Sequence, residues 1–344
     1  KFGQPDASTF SYFFTAANFL SYGSNLQVVR AATGNTNAAQ DGSGFLIKNE
    51  SHYDTLGASA VASGLGDWGA KYPGTLGNSI KVSVCMNANS YSQTNVTTTT
   101  ASTASGSTTI AVVAAANLIA GDIVTFGNHT TEYEITGIST NTLTIREKGK
   151  TTGLTQAVDG SSSAVNVSVK WFFADDFDGA PGTSAQATAR GGANDEIHVV
   201  VIDEDGLWSE TAGTVLEKFS NLSVASDAKK SDGTVNFYNT FSHTGRKPQY
   251  VSLAGGTDDN APTDGELQTA FAHFANDEKY DVSLIPVGPV SGTVAKYVVD
   301  NVAEIRKDCM VFLSPELADA QATDAATQIV DFRDVGANIN SSFA

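Results

Sequence analysis

The sequence predicts an α/β core, mixed with α+β stretches, that is interrupted by a small all-β domain of barrel or sandwich type. Three observations predict it. From Ser90 to Thr109, 13 of 20 residues are Ser or Thr, a shift away from core-forming composition. Between that stretch and Trp171, short β-branched runs alternate with turn residues, and the only hint of helix is the Ala-rich 111–118. Beyond Asp195, apolar strand-like runs alternate with segments of helical period, the pattern of a partly parallel sheet covered by helices. The expected organisation is a discontinuous core, residues 1–90 and 169–344 in one or two subdomains, with 91–168 inserted.

Taken in order, residues 6–20 (DASTFSYFFTAANFL) predict a helix, capped by Asp6 or Ser8, with Phe10, Phe13, Phe14 and Ala17 at helical spacing. NLQVVRAA follows as a strand, and the Gly-, Asn- and Ala-rich 33–44 as a loop. SIKVSVCM puts Ile80, Val82, Val84 and Met86 on one face of a strand. DIVTF, EYEITGI, NTLTIRE and AVNVSVKW are the β runs of the insertion, and in the last Val165, Val167, Val169 and Trp171 alternate with polar residues. EIHVVVID predicts a buried strand and GTVLEKFSNL a short helix. YVSLAGG reads as a strand. TDGELQTAFAHFAND is a helix with a capping box from Thr263 to Glu266 and a stripe of Leu267, Ala270, Phe271 and Phe274. DVSLIPV and CMVFLSP are strands. Between them GTVAKYVVDNVAEIRK is a helix with Val294, Tyr297, Val298, Val302 and Ile305 inward.

Charge and cysteine usage exclude several classes. The net charge of −17 over 344 residues opposes binding to phosphate backbones or anionic membrane surfaces. No apolar run approaches the ~20 residues of a membrane helix. Cys85 and Cys309 sit beside apolar strands and read as buried free thiols. The chain opens at Lys1 and stops at NINSSFA, which reads as a piece of a longer protein.

The apolar run Val199–Ile202 breaks into Asp203, Glu204, Asp205 and Gly206. As a calcium loop with Asp205–Gly206 at positions 5 and 6, positions 1 and 12 fall on Val201 and Ala212, so two oxygen ligands are missing. The motif reads as a strand-end turn with solvated acids. GLGDWG (64–69) matches a dinucleotide-binding pattern in letters, yet Pro73 lies where its helix would run. His52, His129, His198, His243 and His273 have no zinc-site spacing. Asp175, Asp176 and Asp178 form a second acidic cluster among glycines. No nucleophile elbow or phosphate loop occurs. No catalytic residue, cofactor or metal is expected.

Four stretches, FFTAANFLSYGSNLQVVRAA (13–32), WGAKYPGTLGNSIKVSV (68–84), DEIHVVVIDEDGLWSETAGTVLEKFSNLS (195–223) and VAKYVVDNVAEIRKDCMVFLSP (294–315), together resemble the contractile tail sheath proteins of large tailed bacteriophages. The resemblance implies a non-enzymatic subunit of the virion tail. It would be assembled in the host cytoplasm and stacked in six-fold rings around an inner tube that contraction drives through the host envelope. It implies partners in other copies of itself, the tail tube protein, and baseplate and tail terminator proteins, with no nucleic acid and no membrane insertion. It also implies that the strand ending at Asp203 leads through a turn into the helix GTVLEKF, and that an N-terminal arm and a C-terminal domain lie outside this sequence. For inter-subunit contacts, the basic candidates are Lys229, Lys230, Arg246 and Lys247, set against Asp175, Asp176, Asp178, Asp203 and Asp205. The rival readings are a surface adhesion or carbohydrate-binding module, suited by the Ser/Thr-rich acidic β segment, and a hydrolase using the two carboxylate clusters.

Overall fold

The computed structural model describes residues 5–7, 9–31, 37–42, 67–127, 129–160, 164–230, 232–238, 249–258, 261–336 and 338–344. His52, His243 and most of the glycine-rich stretch before Asp67 lie outside them. Mixed helices and mainly antiparallel sheets make an α+β fold.

Helix α1 spans Phe10–Leu20, as its periodicity predicts, and Asp6 receives the Thr9 amide at 2.9 Å; Ser8, the other capping candidate, lies outside the described residues. Its aromatic stripe does not face a core, however. Phe10, Phe13 and Phe14 are 39%, 38% and 54% exposed. Tyr12 is the anchor, donating to the Pro289 carbonyl at 2.9 Å. NLQVVRAA forms no strand over its described residues. Arg30 is turned instead into an ion pair with Asp258 at 2.9 Å. Asn37–Gln40 is bridged to Gly69, Ala254 and Thr257, which buries Ala38 and Ala39 completely.

Strand β1 (Ile80–Cys85) begins the central sheet. The next six strands form a second, antiparallel sheet: β2 (Ser92–Thr98), β3 (Thr109–Ala111), β4 (Ile123–Phe126), β5 (Tyr133–Ser139), β6 (Thr142–Glu147) and β7 (Asn166–Lys170), in the order β2-β7-β4-β5-β6-β3. Just past its two outer strands, a bridge from Thr99 to Val112 brings the edges together and curls the sheet towards a barrel. Residues 111–118 contain no helix; Ala111 ends β3 and 114–116 lie in the loop that follows, with Ala115 and Leu118 buried. The interior is filled by alternate residues of the strands, among them Val124, Phe126, Tyr133, Ile135, Leu143 and Ile145, and every member of this cluster lies between Val96 and Val169. Trp171, the residue after β7, is fully buried against the central sheet and donates its indole N–H to Ser83 at 2.8 Å.

The central sheet continues with β8 (Glu196–Asp203), β9 (Thr214–Ser223) and β10 (Gln249–Ser252), in the order β10-β1-β8-β9, antiparallel throughout. Two expectations change here. The sheet is not parallel, and GTVLEKFSNL is β9 rather than a helix. Val215, Leu216, Phe219 and Leu222 have a helical spacing, but Thr, Val and Phe also suit strands. The ladder to β8, from Thr214–Asp203 to Ser223–Glu196, overrides local propensity with two bulges taking up the misfit. The loop 204–213 joins the two strands directly, since consecutive antiparallel strands need no crossover.

The C-terminal part has the predicted helix–strand alternation. Helix α2 (Asp264–Ala272) carries the complete Thr263–Glu266 capping box. Parallel strands β11 (Leu284–Pro289) and β12 (Met310–Ser314) flank helix α3 (Gly292–Val298), which continues through a π-helical turn, Val299–Ala303, to Arg306. This is the sole parallel pair among the described residues. Val294, Val298 and Val302 pack on Ile285, Val287 and Val311. Ile305, expected inward, is 62% exposed, because the π-helical turn inserts an extra residue and rotates the last turn off the stripe. The opposite face of the pair, with Leu284, Met310 and Phe312, is also exposed.

Candidate functional site

The acidic tip after β8 is built around a buried charge, not a solvated one. Asp203 is fully buried at the end of the strand. Its Oδ1 accepts from Ser79 Oγ at 2.6 Å and the Gly206 amide at 3.0 Å. Its Oδ2 accepts from the Trp208 amide at 2.9 Å, the Ser209 amide at 2.7 Å and Ser209 Oγ at 2.8 Å. Burial alone would raise its pKa; these donors outweigh burial and hold it at about 2. Gly206 is required at its position. Its φ is +81°, and an added Cβ would sit 2.7 Å from the Ala212 amide nitrogen. Glu204 pairs with Lys81 at 2.8 Å, and Asp205 is exposed. Two of the three carboxylates, those of Asp203 and Glu204, are thus engaged in holding the turn. The expectation of a strand-end turn holds for its shape, and the expectation that all its acids face water is corrected at Asp203.

The second acidic cluster is also paired within the chain. Asp175 contacts Lys170 at 2.8 Å and Lys148 at 3.1 Å, and Glu132 shares the same two lysines. Burial opposes the charge of Glu132, but the lysines prevail and keep its pKa below the usual carboxylate range; hydrogen bonding to Lys170 does the same for Asp175. Asp176 lies 3.5 Å from Lys218, and Asp178 is exposed. These ties fasten the connection after β7 to the six-stranded sheet.

Lys229 and Lys230 are exposed in a tight hairpin closed by the Lys229–Val235 bridge. Arg246 and Lys247 lie outside the described residues. Among the described residues, no ion pair joins Lys229 or Lys230 to Asp175, Asp176, Asp178, Asp203 or Asp205, so the structure does not gather these candidates into one site. No group of three or more His, Cys, Asp or Glu side chains suited to a metal occurs among the described residues. Both cysteines are free and buried, as expected. Burial pushes the Cys85 thiol up to about 12.

Two buried polar centres stand apart from the acidic clusters: Arg306, which the sequence did not mark, and His198, which it marked only as a histidine without zinc-site spacing. Arg306, with its side chain 1% exposed, donates to the carbonyls of Phe274, Tyr280 and Val282 and to Asp308. His198 is buried in an aromatic cluster, with the Phe177 ring stacked on it at 4.4 Å. The aromatic run WFF at 171–173 was the one hint of that cluster.

Comparison with known proteins bears on what the chain does. The chain is 24% identical over 339 residues to a tail sheath protein of Salmonella phage ViI, an alignment covering 92% of this chain and 52% of that protein. It is 33% identical over 112 residues to a tail sheath protein of Enterobacteria phage T4, covering 27% of this chain and 17% of that one. The chain therefore spans about half the length of the ViI relative and less of the T4 relative. No protein-family model and no solved structure gives a significant match. Similarity that runs through 92% of the chain identifies it as a relative of the phage tail sheath proteins.

Proposed function

We propose that the chain is a structural, non-enzymatic part of a contractile tail sheath subunit in a bacteriophage virion. The observation that carries this reading is the similarity to the ViI tail sheath protein across 92% of the chain. In this reading copies stack as six-fold rings around an inner tail tube after assembly in the host cytoplasm, and contraction drives the tube through the host envelope. Its partners are other copies, the tube protein, and the baseplate and tail terminator proteins. A heterologous contact repeated along a helix is what such a sleeve needs. The exposed aromatic side of α1 and the exposed outer face of β11–β12 support the reading, since apolar surface of this kind favours burial against other protein. The carboxylate clusters support it too, since Asp175, Asp176, Asp203 and Glu204 are engaged within the chain.

We further propose that the six-stranded sheet is an inserted domain carried by the core. Its apolar cluster is self-contained, and its first and last residues, Ser92 and Lys170, are register partners, so the chain enters and leaves at one place. Lys229, Lys230, Arg246 and Lys247 are proposed as inter-subunit basic groups, with the outward acids Asp178 and Asp205 their natural counterparts.

Electron microscopy of the purified full-length protein tests the function. Regular hollow cylinders are expected. A protein that stays monomeric at every concentration and in the presence of tube protein would overturn the proposal.

A further inference from the structure

His198 stands at a junction of three elements. Its ring is stacked on Phe177 at 4.4 Å with an interplanar angle of 2°, and Trp171 lies beyond at 6.5 Å. Nε2 lies 2.8 Å from the Gly179 carbonyl, which can only accept, so Nε2 carries the proton. Nδ1 lies 3.0 Å from the backbone N–H of Asn221, which can only donate, so Nδ1 is bare. The ring is therefore fixed as the neutral Nε2–H tautomer by two backbone groups on different elements.

The second of those groups belongs to a bulge. Ile197 is opposite Leu222 and Val199 opposite Phe219, so Ser220 and Asn221 both face His198. Asn221 has φ 53°, a left-handed conformation rare for a non-glycine residue. The bulge removes its N–H from the strand ladder, and His198 takes it in place of a carbonyl.

We propose that His198 is a proton-operated pin, which in its neutral form holds the β9 bulge onto β8 and on protonation releases the bulge, while its Nε2–H keeps hold of Gly179. The chemistry is a change of sign at one atom. A proton on Nδ1 turns an acceptor into a donor that faces the Asn221 N–H, leaving a buried donor pair in repulsion. Burial opposes the cation and prevails over the Gly179 and Ile197 backbone groups and Glu196, which favour it. Glu196, on the same strand, is already used by the Asn221 side-chain amide at 2.7 Å and the Gly182 amide at 3.1 Å. Cys85, opposite on β1, and Tyr91, whose ring meets the imidazole edge-on at 6.4 Å, are both kept neutral by burial. Asp175, Asp176 and Asp178 on the connection are exposed, and the first two are turned to lysines.

Amide hydrogen exchange on the intact protein between pH 7.5 and 5, corrected for intrinsic rates, tests the pin. In the wild type, exchange at Asn221 is expected to rise about tenfold per pH unit below about 6.5, the slope of opening coupled to one proton. Amides of Val124 and Ile135 in the six-stranded sheet should hold steady. His198→Phe, which keeps a stacked ring, should exchange fast at Asn221 at every pH with no slope. A nitrogen-15 titration of the wild-type ring provides the same answer without the variant: charging of His198 and loss of the Asn221 hydrogen bond should coincide. Flat exchange across the range, an equal slope in His198→Phe, a parallel rise at Val124 and Ile135, or an Asn221 bond that survives the charged ring would each overturn the proposal.

Discussion

Replacing Asp203 by Asn tests whether the acidic tip is a folding device. The change keeps shape and removes charge. The gap between an ordinary 3.8 and about 2 corresponds to about 2.5 kcal/mol favouring the ionised over the protonated carboxyl in the folded chain. The amide is worse than the protonated acid. Wherever its NH2 is placed it faces a backbone N–H, Gly206 on one side or Trp208 and Ser209 on the other. One unpaired buried donor adds at least about 1 kcal/mol, which puts the expected loss near 3–4 kcal/mol. Urea unfolding at pH 7 should show this as a lower midpoint at unchanged slope. Asp205→Asn, at an exposed neighbour, should stay within about 0.5 kcal/mol of the parent. The sign with pH is fixed, because the folded-state pKa lies below the unfolded one. The stabilisation is complete above the unfolded value and is lost as pH falls from 3.8 through about 2, so the parent's advantage over the variant should shrink towards the roughly 1 kcal/mol that the unpaired amide donor costs. A loss below 1 kcal/mol, or a parent stability that climbs on adding micromolar calcium, would refute the folding-device account.

Other outcomes follow from the same geometry. Arg306→Ala should destabilise the C-terminal unit by about 3–5 kcal/mol, since three carbonyls and Asp308 lose their buried partner, and Arg306→Lys should recover only part because an ammonium lacks the planar fork; equal melting of all three forms would count against it. Excising 92–170 and joining the flanks with a short glycine linker should leave a cooperatively unfolding core, and the excised piece should fold alone; a molten product from either would remove the inserted-domain proposal. Cys85, its thiol held near 12 and buried, should resist alkylation at pH 8 until the chain unfolds, so rapid labelling of the native protein would contradict its burial.

What the sequence made legible was set by how local the deciding interaction is. Thr263 and Glu266 are three residues apart, and their capping box is complete in the structure. The β runs of the insertion alternate because each strand has one face on a shared interior, so Val124, Phe126, Ile135 and Leu143 could be read inward from spacing alone. GTVLEKFSNL misled because its apolar spacing fits a helix. Its state is decided by β8, whose six paired residues on the other side, from Ile80–Asp203 to Cys85–His198, already commit that strand to a sheet. Ile305 was misplaced by one inserted residue in the π-helical turn, which no periodicity count registers.

The sites were harder to read than the fold because their partners are remote in the chain. Asp203 was legible as an acid in a turn, but its burial depends on Ser79, 124 residues earlier. From sequence, three adjacent acids suggest a shared role, whereas the structure gives them three: Asp203 organises the turn, Glu204 ties it to β1, and Asp205 faces water. The cluster at 175–178 divides in the same way, Asp175 and Asp176 towards lysines and Asp178 outward. With 37 acidic against 20 basic residues, internal pairing still leaves an excess of 17 negative charges, but a neighbouring copy feels them only within a Debye length of about 8 Å. Contacts between copies would then depend on the local surface offered, not on total charge. The uncharged run from Ala7 to Val29, which includes the exposed face of α1, is one stretch on which like-charged copies could approach without opposition.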